Sequence, residues 1–200
     1  MQTIDKLERK INALPIDVVV PFSDVNIQGV SKDTIRKYLH RLHERGSISI
    51  VQRGHFKRIE PFHELLFVYG SLKKGFYNNI LLEKSTRRLG KASTVGKFAM
   101  FEDSFGNYPY LVNKPINRIL GELYEIQRKE LLERIDEFEG VPDYYKRKRI
   151  KVKTHEGVCF AYAYIRVGVD IPVDQKPLKV WKNNSDYKVG ELKSFLEKLQ

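Results

Sequence analysis

Thiol chemistry is nearly missing from this chain. Its one cysteine, Cys159, excludes intramolecular disulfides and any zinc site built on a cysteine pair, and within the apolar stretch Val158 to Tyr164 it reads as a core thiol. The histidines His40, His43, His55, His63 and His155 show neither HxxxH nor HExxH spacing, and no acidic cluster completes a site, so no metal and no cofactor are expected. No apolar run approaches the roughly 20 residues that cross a bilayer. Met1 to Lys10 is charged and lacks the apolar centre of a secretory signal, so a cytoplasmic protein without membrane association is expected. Eight prolines and 13 glycines in 200 residues leave too little low-complexity sequence for a collagen-like or disordered chain. No internal repeat is visible.

What is present is a folding composition, 42% hydrophobic and 12% aromatic, in a length that suits one large core or two small ones. The net charge is +11, which favours an anionic partner. Residues 1 to 61 hold 11 Lys/Arg against 7 Asp/Glu, hence +4, and residues 62 to 200 hold 25 against 18, hence +7. Charge alone therefore singles out neither half.

Two regions differ in pattern. In residues 1–61, Ile4, Leu7 and Ile11 mark a first helix behind Thr3, ended by Pro15. Val18 to Val20 is a short apolar piece, Pro21 and Ser23 open a brief helix, and Gly29 closes it. Ser31 caps a longer helix with an inward stripe of Ile35, Leu39 and Leu42, stopped by Gly46. Alternation from Ser47 to Ile50, then Arg53-Gly54 and His55 to Ile59, marks a hairpin. That order describes a small winged helix-turn-helix. Residues 62–200 open with Leu65 to Tyr69, a buried-strand pattern. Further strands are expected at about 94–101, 120–126, 147–153 and 158–165, with helices at about 128–139 and 190–199. The class is α+β or barrel-like.

Two features carry chemistry. At about 100° per residue, Leu131, Leu132, Ile135 and Phe138 form one apolar stripe on the helix 128–139, and Glu139 falls inside it. A carboxylate turned toward the core at the negative end of a helix should have its pKa raised toward the range useful for proton transfer; the alternative is a glutamate swung to solvent before Gly140. The second feature is Tyr69-Gly70-Ser71-Leu72, a strand end whose amides could meet a carbonyl or carboxylate, or an ordinary turn.

Together these motifs resemble the γ-glutamylcyclotransferase-like family. Tyr69-Gly70-Ser71-Leu72-Lys73-Lys74-Gly75, followed by Asn78, is similar to its substrate loop. Ile135-Asp136-Glu137-Phe138-Glu139-Gly140, then Tyr145 and Arg147, resembles its glutamate block. Asn107-Tyr108-Pro109-Tyr110-Leu111 and Gly121-Glu122-Leu123-Tyr124 resemble its connecting strands. Asp136-x-Phe138-Glu139 and Asp186-Tyr187 point to the branch acting on γ-glutamyl amines. The resemblance implies a small β-barrel flanked by helices over about residues 65–187. It further implies release of 5-oxoproline from a small γ-glutamyl substrate by intramolecular lactam closure, with Glu139 as the catalytic base. Tyr69, Gly70, Ser71, Leu72 and Asn78 would bind substrate, and Tyr145 would be a pocket wall or a core tyrosine.

The Ser31 helix carries Lys32, Thr34, Arg36, Lys37 and Arg41 off its apolar stripe, and Arg53 sits in the hairpin. Such a set suits duplex DNA, although a basic helix face also serves solubility or a protein partner. Residues 10–60 resemble the winged-helix domain of abortive-infection antitoxin-type regulators through Pro21-x-Ser23-Asp24, the stretch Tyr38-Leu39-x-Arg41-Leu42 leading to Gly46-x-Ile48, and Arg53-Gly54, departing from it at His55-Phe56. Three readings follow: a cyclotransferase fused to a DNA-binding domain, a DNA-binding regulator whose second domain senses a γ-glutamyl ligand, and an antitoxin-like module that binds a protein.

Overall fold

The computed structural model describes residues 3–83, 86–170, 172 and 174–182. The helix expected at 190–199 and the pair Asp186-Tyr187 lie outside them. The chain divides into two compact units, Met1–His63 and Glu64–Gln200.

In the first unit, α1 (Thr3–Asn12) and α2 (Lys32–Glu44) accompany a single 3-10 turn, Phe22–Val25, and three short strands: β1 (Val19–Pro21), β2 (Ile48–Gln52) and β3 (His55–Arg58). The strands order as β1-β3-β2, antiparallel throughout. Val18 to Val20, read as an unassigned apolar piece, thus contributes an edge strand. Leu7, Ile11, Val25, Ile35, Leu39, Leu42, Ile48 and Phe56 make the core. The boundaries of α2 follow from local chemistry: Ser31 Oγ accepts the Thr34 N–H at 3.1 Å, and Gly46, at φ +69°, takes the left-handed turn that L side chains avoid.

The second unit is a closed five-stranded barrel made of β4 (Glu64–Val68), β5 (Thr86–Thr94), β8 (Leu120–Ile126), β9 (Tyr145–Lys153) and β10 (Val158–Arg166), in the order β10-β4-β8-β5-β9. Only β10 and β4 run parallel. A separate antiparallel pair, β6 (Phe98–Glu102) and β7 (Pro109–Asn117), α3 (Ile80–Glu83) and α4 (Lys129–Glu139) complete it. The strand expected at 94–101 is instead the end of β5, a turn, and the start of β6. Most of β5 escaped notice because Thr86-Arg87-Arg88-Leu89-Gly90-Lys91 is polar and its register slips between Arg88 and Gly90, a bulge that breaks the two-residue alternation. Phe67, Met100, Leu111, Ile119, Leu123, Val152, Ala163 and Trp181 are buried inside.

Glu122 of β8 ties the segment after β4 to this barrel. Its carboxylate accepts the Lys74 N–H at 2.8 Å, the Tyr124 hydroxyl at 3.0 Å and the Arg88 guanidinium at 2.7 Å. Burial disfavours its charge, but these donors more than offset that and hold its pKa below the usual carboxylate range. A group so depressed adds stability that is complete above its unfolded pKa of about 4.3 and is lost as pH falls through the folded value. Glu122→Gln should therefore cost about 1–3 kcal/mol at pH 7, with a smaller difference from the parent at pH 3. Urea unfolding followed by Trp181 fluorescence, the only tryptophan of the chain, measures both.

Candidate functional site

A cavity of about 390 Å³ opens at one end of the barrel, within the range usual for small-molecule sites. Five segments converge on it. Phe67 to Leu72 run off the end of β4; Tyr108 and Pro109 lead into β7; Glu137 to Gly140 end α4; Tyr144 and Tyr145 begin β9; Tyr164 and Arg166 end β10.

Helix α4 brings Glu139 here. Leu132 and Ile135 are buried against the barrel, and Glu139, half-buried in the last turn, lines the cavity. The helix stays regular through Glu139 because Gly140 caps it at φ +68°, where a Cβ would also come within 2.9 Å of Tyr144. Two donors then fix the helix end: Arg147 pairs with Asp136 Oδ2, and the Tyr164 hydroxyl donates to Asp136 Oδ1 at 2.8 Å. Asp136 and Glu139 stand three apart and so share a side of the helix.

Three tyrosines surround the carboxylate. The Tyr69 hydroxyl donates to the Tyr164 carbonyl at 2.8 Å. Burial pushes the Tyr69, Tyr145 and Tyr164 phenols well above their ordinary pKa, and the negative charge of Glu139 adds to all three. They consequently remain protonated donors across the working pH range. Arg166 lays its guanidinium over the rings of Tyr144 and Tyr145, 4.8 and 5.1 Å from their centroids. The arrangement offers a carboxylate, phenols that stay neutral, a cation and a small-residue turn, around a volume fit for an amino-acid-sized ligand.

The Gly70-Ser71 turn approaches Pro109 closely; a Cβ on Gly70 would lie 2.9 Å from the Pro109 ring. Behind the turn, Asn79 Nδ2 donates to the Leu72 carbonyl at 2.7 Å and Asn78 Nδ2 to Ser71 Oγ at 2.8 Å. Asn78, expected to bind substrate, is buried, donates to Ser71 and is not among the cavity-lining residues. Tyr69, Gly70, Ser71, Leu72, Glu139 and Tyr145 do line the cavity. Reasoning on the sequence missed Tyr144, Tyr164 and Arg166. The pair 164/166 carries a signal, two polar-tipped residues on one face at a strand end, which becomes readable only once β10 is known to lie beside β4.

In the first unit, Lys32, Thr34, Arg36, Lys37 and Arg41 are exposed on α2, and Arg53 is exposed in the β2–β3 turn. Two of them have local duties. Thr34 shares a hydrogen bond with Ser31 Oγ at 2.9 Å, and Arg36 pairs with Asp33 at 3.1 Å.

Comparison with known proteins adds to this geometry. The model of the gamma-glutamyl cyclotransferase, AIG2-like family matches residues 66–184, more than half of the chain. This chain belongs to that family. A Methanocaldococcus jannaschii protein is 44% identical over 95 residues, 47% of this chain and 76% of its relative. The gamma-glutamylaminecyclotransferase of Bos taurus is 38% identical over 108 residues, 48% of this chain and 63% of its own length. The crystal structure of an AIG2-like protein from Mus musculus superposes with a TM-score of 0.56 at 24% identity, over 62% of this chain and 91% of that one, a likeness of fold. The family match begins at β4, so the first unit lies outside it. Among the described residues of this cyclotransferase-family chain, no helix is long and apolar enough to cross a membrane.

The Asp136 clamp makes a prediction. Asp136→Asn should cost about 1.5–3 kcal/mol, the range for hydrogen bonds to a charged group, and Tyr164→Phe less. Because both act through one carboxylate, their effects should not add; a double-mutant cycle read by Trp181 fluorescence in urea measures the coupling.

Proposed function

We propose that the second unit is a cofactor-independent cyclotransferase that releases 5-oxoproline from a γ-glutamyl amine or peptide, with Glu139 as its proton carrier. The observation that carries this reading is the placement of the Glu139 carboxylate in one 390 Å³ cavity with the Tyr69-Gly70-Ser71-Leu72 turn. The family match and the name of the bovine relative support it.

In this reading the substrate's own α-amine attacks its γ-carbonyl. A C–N bond closes the five-membered lactam, the bond to the departing amine breaks, and no protein nucleophile takes part. Holding the folded-back conformer supplies much of the acceleration as effective molarity. Glu139 accepts a proton from the α-ammonium, freeing its lone pair, and passes it to the leaving nitrogen; the second proton, shed as the attacking nitrogen becomes the lactam N–H, follows through the same carboxylate, so the amine departs as its ammonium and protons balance without an external donor. The turn from Tyr69 to Leu72 anchors the glutamyl group, and donors lining the cavity stabilise the developing oxyanion. Asn78 and Asp136 act as positioning residues.

Glu139→Gln keeps the shape but accepts no proton near neutrality, so 5-oxoproline release should fall by about 10²–10⁴-fold while binding of 5-oxoproline persists. Product assays on a panel of γ-glutamyl amines, amino acids and glutathione measure this. Unchanged turnover in the variant removes Glu139 from the role. A wild-type chain that binds 5-oxoproline yet turns over none of the panel favours a ligand sensor instead.

A second reading concerns the first unit, favoured by the exposure of Lys32, Arg36, Lys37 and Arg41 opposite the buried face of α2. We infer a winged helix-turn-helix in which α2 meets duplex DNA and Arg53 lies in the wing; a protein partner is the alternative. Selection from genomic fragments with the full chain should enrich a sequence bound at least about 10³-fold tighter than random duplex at physiological salt. Arg41→Ala should weaken both kinds of binding, and Thr34 and Arg36 substitutions should alter sequence preference. Enrichment of nothing, with one protein captured by the full chain, decides for the partner module.

A further inference from the structure

The outer face of β9 and β10 continues away from the cavity as a strip of cations and aromatic rings. Strand β9 reads Tyr145-Lys-Arg-Lys-Arg-Ile-Lys-Val-Lys153, with six basic residues and no acidic one. Register places Arg147 opposite Tyr164, Arg149 opposite Tyr162, Lys151 opposite Phe160 and Lys153 opposite Val158. These eight share one face, because Val152, Ala161, Ala163 and Ile165, at the intervening positions, point into the core. At the cavity end, α4 reaches this face, and Asp136 takes Arg147. Beyond that, Arg149, Lys151 and Lys153 are exposed, and Phe160 and Val158 remain 51% and 59% accessible.

The cations lie on the rings rather than beside them. The Arg147 guanidinium is 4.8 Å from the Tyr162 centroid, and Arg149 and Lys151 flank Phe160 at 5.7 and 5.5 Å. Cations so placed repeat every second residue, about 6.8 Å apart along the strand, comparable with the phosphate repeat of an extended single strand. Planar guanidinium and aromatic surfaces alternate at the same rows, which is what base stacking beside a charged backbone requires. A bilayer surface would ask instead for apolar side chains free to insert, and here the Phe160 ring is flanked by charges. An acidic peptide would use the cations and leave the rings idle.

We propose that the β9–β10 strip binds single-stranded nucleic acid, with Arg149 and Lys151 on phosphates and Phe160 and Tyr162 stacking bases without strong sequence preference. The strip lies wholly in the second unit, and the inference is independent of both readings given above.

The test uses the full chain and fluorescently labelled ten-nucleotide RNA and DNA single strands, titrated over a range of salt. Arg149→Gln/Lys151→Gln/Phe160→Ala should weaken single-strand binding at least tenfold. Removing two phosphate contacts should also flatten the dependence of log affinity on log salt by about 1.4, at roughly 0.7 per contact for single strands. Melting curves check folding, and should Phe160→Ala destabilise the barrel, Arg149→Gln/Lys151→Gln alone should still lower affinity severalfold with the reduced salt slope. Unchanged binding in the β9–β10 variants overturns the proposal. So does parent affinity for anionic phospholipid vesicles or polyglutamate equal to that for the oligonucleotides.

Discussion

The second unit depends on one carboxylate that performs no chemistry. Asp136, in the last turns of α4, receives Arg147 from β9 and the Tyr164 hydroxyl from β10, so a single side chain joins the helix end to two barrel strands. Charge-assisted bonds of this kind are short and directional. They set the rotation of α4 about its axis and its height above the barrel rim. Glu139, three residues on, inherits both. Without that anchor the apolar contacts of Leu132 and Ile135 would still bury the helix, but such contacts tolerate sliding, and a proton carrier displaced by an ångström loses its alignment.

Opposite the helix, the turn after β4 is held by a different device, close approach. A Cβ on Gly121 would lie 2.3 Å from the Val68 carbonyl, and one on Gly70 would press on Pro109. The absent side chains let β8 and the start of β7 crowd against β4, so the turn emerges at a fixed place and angle. Glu122, the residue after Gly121, then catches the Lys74 amide, and Asn78 and Asn79 brace Ser71 and Leu72. The two walls of the cavity are thus built by opposite means, one by a half-buried ion pair and one by the lack of side chains.

How much of this was legible in the sequence follows from the same contrast. Helix α4 and the cavity-facing position of Glu139 could be read because periodicity and a capping glycine are local properties. The strands β4, β8, β9 and β10 could be placed because their apolar residues alternate or run together. Strand β5 could not, since a bulge and three polar residues erase its alternation. Tyr164 and Arg166 were hidden for a further reason: their partners, Tyr69 and Tyr144, stand 95 and 22 positions away along the chain, the first brought up by the pairing of β10 with β4 and the second by that of β10 with β9. Asn78 was placed by resemblance at the ligand; the structure shows it buried and bonded to Ser71 of the cavity turn.

The protonation pattern of the cavity explains why so sparse a site suffices for the proposed reaction. Tyr69, Tyr145 and Tyr164 are driven by burial to stay neutral, and each has its phenol held protonated more firmly by the charge of Glu139. With these phenols held protonated, the carboxylate is the group to which the proposed reaction assigns proton exchange with the amine. In the proposed reaction, lactam closure moves two protons in turn from the attacking ammonium to the departing nitrogen, both within a few ångströms of a folded-back chain, so a single carrier able to reach both replaces the separate acid and base that an intermolecular acyl transfer requires. The barrel rim then has only to fix the substrate's fold and its distance from Glu139, and those are the two quantities that the Gly70 turn and the Asp136 clamp control.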